Sequence, residues 1–332
     1  MICSNCGNEI LNADDDCVDI NSNHICSRCA ESYFIRCTDC GGLVNESTVL
    51  YNEDGEPFCT TCYPSSDDDS YYSGSSYSSD KLEVKGYHEF DPNDIVFFGD
   101  THNNSVPFLG VELEVDKGNR ANEEMSHAIG AILPNNFIHF ERDGSLNSGF
   151  ENITQPATLE YHKSLSKQYR EMFRLLIKNG YRSHNTKTSG LHVHFNRTFF
   201  KDHEDLYVTR LLFLIEKFWD ELSKFSRRSM DSIHWAKKYT DNATEIIRKE
   251  KSNNLDRYFA LNLTNTNTIE FRIFRGTLRY KTFVATLQLV DTMVRKARTI
   301  TENELQSIKW EDLLEYRAVR EYWETVKDRE VK

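Results

Sequence analysis

Apolar and polar positions alternate along the chain in two rhythms. In the run FLGVELEVD, residues 108–116, Val111, Leu113 and Val115 fall on one side and Glu112 and Glu114 on the other, which is the period of a half-buried strand. The same period predicts strands over 137–142, 150–155, 190–196, 258–263 and 268–274. A period near 3.6 predicts helices over 121–132, 159–179 (stopped by Gly180), 204–225, 280–298 and 302–327. Short strands set among long helices make residues 86–332 an α+β domain rather than a repeat array.

Three strands share an uncommon choice of polar residues. Glu112 and Glu114 alternate with valine and leucine, His192 and His194 with Leu191, Val193 and Phe195, and Glu270 and Arg272 with Ile269, Phe271 and Ile273. A strand face that merely meets water usually carries a mixture of Thr, Lys, Ser and Gln. Carboxylate pairs, imidazoles and a guanidinium are instead the donors that hold divalent metal and phosphate. Asp143, in Asp143-Gly144-Ser145, and Glu151 fit the same face, while Arg257, Arg275 and Arg279 add positive charge around Glu270. The sequence has no P-loop, GxGxxG or nucleophile elbow, so any phosphate must be held by metal and arginine.

Residues 1–62 follow neither rhythm. Their nine cysteines form four CxxC pairs, Cys3/Cys6, Cys26/Cys29, Cys37/Cys40 and Cys59/Cys62, with Cys17 left over. A CxxC turn sets two thiolates on one knuckle, and two knuckles supply the four sulfurs of a tetrahedral zinc site. The expectation is a small module with two structural Zn²⁺. Sequential pairing puts Cys3, Cys6, Cys26 and Cys29 on one ion and Cys37, Cys40, Cys59 and Cys62 on the other; a crossed, treble-clef pairing remains open. His24 and Cys17 are alternative ligands, more simply read as a surface residue and a small buried one. The second half-repeat resembles a LIM or zinc-ribbon half, with a hairpin turning at Glu53-Asp54-Gly55.

Charge separates the parts. Residues 1–80 hold 15 Asp and Glu against Arg28 and Arg36, while the remainder is nearly balanced, so the formal charge of -12 belongs to the N-terminal part. Without a basic stripe, a nucleic-acid partner is not expected. Residues 63–85, rich in Ser, Asp, Tyr and Gly, read as a flexible linker. No apolar run approaches the ~20 residues of a membrane helix. The opening MICSNCGNEI has neither the basic nor the apolar region of a secretion signal, so a cytoplasmic chain with no membrane partner is expected.

SGLHVHFN, from Ser189 to Asn196, resembles the histidine strand of glutamine synthetases and related carboxylate–amine ligases. TIEFRIFRGTL resembles their Glu-x-Arg strand and GVELEVD their opening Glu-x-Glu strand. Together with DGSL, Glu151 and RYFALNL, the order resembles the amidoligase family of phages and bacteria, over roughly residues 108–280. The resemblance implies a curved, mainly antiparallel sheet of glutamine synthetase-like type, backed by helices, with an active site on its concave face. It implies that Glu112, Glu114, Glu151, His192 and Glu270 hold Mg²⁺ or Mn²⁺ with ATP, and that Arg272 contacts the transferring phosphate with Arg257 and Arg275 beside it. His194 matches a less uniform position, a supporting group or substrate contact, and Asp143 is a candidate to orient or deprotonate an amine, with metal binding and turn capping as equal alternatives. The chain is much shorter than glutamine synthetase and lacks its glutamate and ammonia segments. The implied activity is therefore ATP-dependent amide or isopeptide formation between another carboxylate and amine, with metabolite, peptide and protein substrates all open. A phage-encoded copy would work in the host cytoplasm. The competing expectation is a non-catalytic zinc adaptor with a degenerate ligase-like domain.

Overall fold

A computed structural model describes residues 1–10, 16–21, 23–38, 42–51, 57–60, 62–63, 82–87, 89–102, 105–184, 186, 189–228, 236–239 and 241–329. The chain divides into two compact units, Met1–Tyr72 and Ser73–Lys332.

The first unit is built from very short pieces. β1 (Asp16–Val18) pairs antiparallel with β2 (His24–Cys26), α1 (Ser27–Tyr33) follows, and β3 (Phe34–Arg36) pairs with β4 (Leu43–Asn45). β5 (Leu50–Tyr51) pairs with β6 (Pro57–Phe58); the turn expected at residues 53–55 lies outside the described residues. Cysteines form much of what is buried: Cys3 and Cys29 sit with Ile10, Ile25, Ala30 and Leu43, and Cys37, Cys59 and Cys62 with Val44 and Phe58. So little apolar area supports a fold only with added cross-links or metal.

The second unit is a mixed α+β structure around one large sheet. Its strands are β7 (Val84–Lys85), β8 (Phe108–Val115), β9 (Ile138–Glu141), β10 (Phe150–Thr154), β11 (Ala157–Thr158), β12 (Leu191–Asn196), β13 (Leu261–Asn262) and β14 (Thr268–Phe271). The order is β13-β14-β12-β8-β10-β9-β7, with β11 also on β8, and every pair is antiparallel except β7 with β9. Composition places Val84 and Lys85 in the linker, but Val84 is buried across from Phe140, because the short run from Glu83 to Lys85 still alternates. Residues 64–81 of that segment lie outside the described residues.

The helices are α2 (Asn122–Ile132), α3 (Leu159–Ser164), α4 (Ser166–Lys178), α5 (Glu204–Lys217), α6 (Trp219–Ser226), α7 (Ala243–Lys251), α8 (Tyr280–Thr299), α9 (Glu302–Ser307) and α10 (Arg317–Val326). Three of the long helices expected from periodicity are broken. Leu165 and Phe218 leave helical geometry between α3/α4 and α5/α6. Ile308 turns extended after α9, and Trp310–Leu313 forms a single 3-10 turn before α10. There Ile308, Trp310, Leu313 and Leu314 are all buried, and one straight helix could not turn this set of positions to the core.

Helix α8 packs against α3, α4, α5 and α10, and most of its length is buried. The core also takes Val111, Leu113, Val115, Leu191, Val193, Phe195, Ile269 and Phe271, the apolar side of the three alternating strands. The opposite face is therefore free for polar groups. Two residues beyond β7, the Tyr87 hydroxyl accepts a 2.7 Å hydrogen bond from Nη1 of Arg257, which precedes β13. β7 and β13 are the two ends of the strand order, so this bond ties segments flanking opposite edges of the sheet. Among the described residues no helix is long and apolar enough to cross a membrane.

Candidate functional site

Register decides which side chains meet. His192 stands across from Glu112 in the β12–β8 pair, Glu151 across from Glu114 in β10–β8, and Glu270 across from His194 in β14–β12. Glu141 is across from Glu151, and Asn262 across from Glu270. Cross-strand partners share a face and lie ~5 Å apart, so one polar row crosses six strands although it spans Glu112 to Glu270 in sequence. Glu114, Glu141, Glu151, His192 and Glu270 are all buried.

The row has two halves. In the first, ligand atoms of Glu112, His192 and Glu270 lie within 4.8 Å of one another. His192 Nδ1 is 3.2 Å from Glu112 Oε2 and 3.5 Å from Glu270 Oε1, and His194 Nε2 is 3.0 Å from Glu112 Oε1. Arg272 Nη1 donates to Glu270 Oε1 at 2.5 Å, and Asn262 and Asn265 donate to Glu270 Oε2 at 2.8 and 3.2 Å. Burial pushes the Glu112 carboxyl up, but the charge of His194 and hydrogen bonds from both histidines outweigh it and hold it well below its ordinary range. Glu270 is lowered as well: burial opposes, and His194 and His192 prevail. Burial drives His194 down, yet Glu112 and Glu270 raise it to about 9.

The second half brings together Glu114, Asp143 and Glu151, again within 4.8 Å. Asp143 sits on the β9–β10 loop, and that loop is fixed by fully buried Asp116, which accepts from Ser148 N (2.9 Å), Asn147 N (3.2 Å) and Asn147 Nδ2 (3.0 Å). Gly190 N–H donates to Glu114 Oε2. This half has too little positive charge. Burial raises Glu114 despite the pull of His192 and the Gly190 N–H. Burial, then the charges of Glu112, Glu114, Asp143 and Glu141, push Glu151 up to about 11.

Crowded buried carboxylates are tolerable only with protons or cations among them. Donors on one octahedral ion at ~2.1 Å lie about 3.0 Å apart when adjacent and 4.2 Å when opposite, so both groups are near the spacing a divalent ion needs. The donor set of oxygens with one imidazole suits a divalent cation.

Glu112, Glu114, Asp143, Glu151, His192, His194, Glu270 and Arg272 thus meet on one face. Arg275 lies past the end of β14, bridged to Gly190. Arg257 stands apart, its guanidinium on the Tyr87 and Tyr258 hydroxyls. Sequence reasoning passed over Glu141, Asp116, Asn262 and Arg228. The parity of the 137–142 strand could have flagged Glu141, and Asp116 closes the quoted GVELEVD run; Arg228 follows a helix end and carries no such signal.

In the first unit Cys3, Cys6, Cys26 and Cys29 cluster within 4.8 Å, with Cys6 and Cys26 sulfurs 3.9 Å apart. Sulfurs around a tetrahedral zinc at 2.3 Å are about 3.8 Å apart, so the four can hold one ion. Cys37, Cys59 and Cys62 form a second cluster, following the sequential pairing; Cys40 lies outside the described residues. None of the eight described cysteines is in a disulfide. No protein-family model matches the chain, and no curated protein matches it.

Proposed function

We propose that this protein is an ATP-dependent carboxylate–amine ligase of the glutamine synthetase-like amidoligase type, with a two-zinc module that docks a partner or substrate. The supporting observation is the convergence of five carboxylates, two histidines and Arg272 on one face of an antiparallel sheet, from strands far apart in sequence.

A carboxylate is a poor electrophile, and transfer of the ATP γ-phosphoryl group to it gives an acyl phosphate that an amine can attack, releasing phosphate. Glu112, His192 and Glu270 would hold one divalent ion and Glu114, Asp143 and Glu151 another. Bound there, the ions supply neutralisation of phosphate and carboxylate charge. Arg272, anchored on Glu270, would offer a guanidinium to the phosphoryl group, and its Nε is buried without a partner among the described residues. Glu112 and Glu270, held ionised by their histidines, keep donor character at neutral pH.

The deciding experiment incubates purified full-length protein with Mg²⁺, ATP and mixtures of ¹⁸O-labelled acids and amines. Transfer of ¹⁸O from carboxylate to released phosphate is expected, and Glu112→Gln and Arg272→Ala should each lower turnover at least ~100-fold. Absence of nucleotide binding, or full turnover in both variants, overturns the ligase assignment.

A further inference from the structure

Arg228 is 7% exposed, an unusual position for a guanidinium. It follows the left-handed residue Arg227 that ends α6, and its own N–H donates to Ser226 Oγ at 3.3 Å. Its side chain reaches the backbone just past the end of β14, where Arg272 lies. Nε donates to the Ile273 carbonyl at 3.0 Å, and Nη2 to the Arg272 carbonyl at 2.9 Å. Among the described residues no carboxylate oxygen comes within ion-pair distance of it, whereas Arg272 and Arg197 both have one.

The start of β12 leaves room for it. A Cβ at Gly190 would lie 2.7 Å from His192 Nε2 and 3.3 Å from Arg228 Nη2, so glycine lets imidazole and guanidinium share the space beside Glu114. A buried cation with no carboxylate at ion-pair distance among the described residues is costly, and its neighbours Arg272, Arg275 and Arg227 make the cost larger. Glu114 offsets part of it. A fold could answer the two backbone carbonyls with a neutral donor, so the charge needs its own reason.

We infer that Arg228 is a positioning residue for an anionic ligand: it fixes the backbone of Arg272 and adds positive charge at the edge of the carboxylate row, so that a phosphate-bearing group is held there beside the metal ions. This rests on the ligase proposal and extends it to a residue outside the strand motifs. Electrostatics then gives opposite effects on two ligands. A positive charge beside the row weakens cation binding and strengthens anion binding, whereas a merely structural support would affect both in the same direction.

The test uses the full-length zinc-loaded protein and two probes: Mn²⁺ by electron paramagnetic resonance, and a non-hydrolysable ATP analogue by calorimetry at saturating Mn²⁺. For Arg228→Met, Mn²⁺ should bind about threefold more tightly and the nucleotide analogue at least tenfold more weakly. Arg228→Lys keeps the charge but not the fork; its Mn²⁺ affinity should stay within about twofold of wild type while the analogue weakens about threefold. Thermal melts identify a variant that fails to fold, in which case Arg228→Lys decides alone. Parallel loss of both ligands, or no change in either, overturns the role of Arg228 while leaving the ligase proposal standing. A wild-type protein that binds neither probe overturns both.

Discussion

The two units build polar clusters by opposite means. In the first, pairs of cysteines three residues apart bring their own sulfurs together, and two local knuckles make each cluster. In the second, no two donors of the Glu112, His192 and Glu270 group share a strand. A local cluster needs its metal to become a fold, while a cluster assembled by strand register needs the fold first. The core of the first unit is small and rich in cysteine, and that of the second runs through the sheet and α8.

The largest effect expected from this contrast is metal removal. A strong chelator should unfold residues 1–63, because structural zinc contributes on the order of 10 kcal/mol to a domain of this kind. The second unit should keep its cooperative melt. Near-ultraviolet dichroism with limited proteolysis reads both units at once, and a first unit that stays protected without zinc removes the contrast.

Next comes a backbone test of register. A Cβ at Gly149 would lie 1.7 Å from the Val115 carbonyl oxygen, where β10 begins to pair with β8. Backbone cannot yield as a side-chain end does, so Gly149→Ala should cost about 4 kcal/mol. Since Glu151 meets Glu114 through that same register, Mn²⁺ binding should fall together with stability. A stable variant with normal Mn²⁺ affinity would show that the donors do not depend on it.

These residues also explain what could be read from sequence. CxxC spacing carries both the ligand type and its geometry, so the cysteine clusters were legible. Strand parity assigned Glu112, Glu114, His192 and Glu270 to polar faces, since every second residue shares a side. Parity does not say which strands adjoin, and β8 lies between β12 and β10, both later in the chain. Arg228 and Asp116 were missed because their roles are hydrogen bonds to distant backbone, which leave no periodic trace. The breaks at Leu165 and Phe218 were missed because the apolar rhythm continues across them.

A third effect belongs to the second unit's core. His162 is buried, with Nε2 2.9 Å from the Leu109 carbonyl and Nδ1 2.8 Å from the Tyr169 hydroxyl. Burial pushes it down to about 4, outweighing the Leu109 bond. Between pH 6.5 and 4 the unfolded chain binds this proton and the folded one does not. Stability is thus fully present above about 6.5 and lost as pH falls, by about 3 kcal/mol on reaching 4. His162→Gln should flatten that slope in urea titrations, and an unchanged slope would assign the acid sensitivity elsewhere.

The smallest expected effect has the opposite sign and separates the two kinds of cluster most cleanly. Glu151 is buried among Glu112, Glu114, Asp143 and Glu141, and those charges add to the burial that disfavours its ionised form. Glu151→Gln keeps the shape and removes one carboxylate from the crowd. Without divalent metal the variant should be more stable than wild type by about 2 kcal/mol, the trade-off expected where function maintains an unfavourable arrangement. With Mn²⁺ present the order should reverse, because the lost ligand weakens the ion about 10-fold to 100-fold. Replacing Cys3 by Ser in the first unit should show no such crossover: it loses stability with zinc and gains none without it, since its cluster is built of cysteines rather than crowded carboxylates. Thermal melts of both variants, with and without metal, carry the comparison. If Glu151→Gln destabilises the metal-free protein, the carboxylate row is held by hydrogen bonds rather than strained by repulsion, and the two clusters are more alike than their construction suggests.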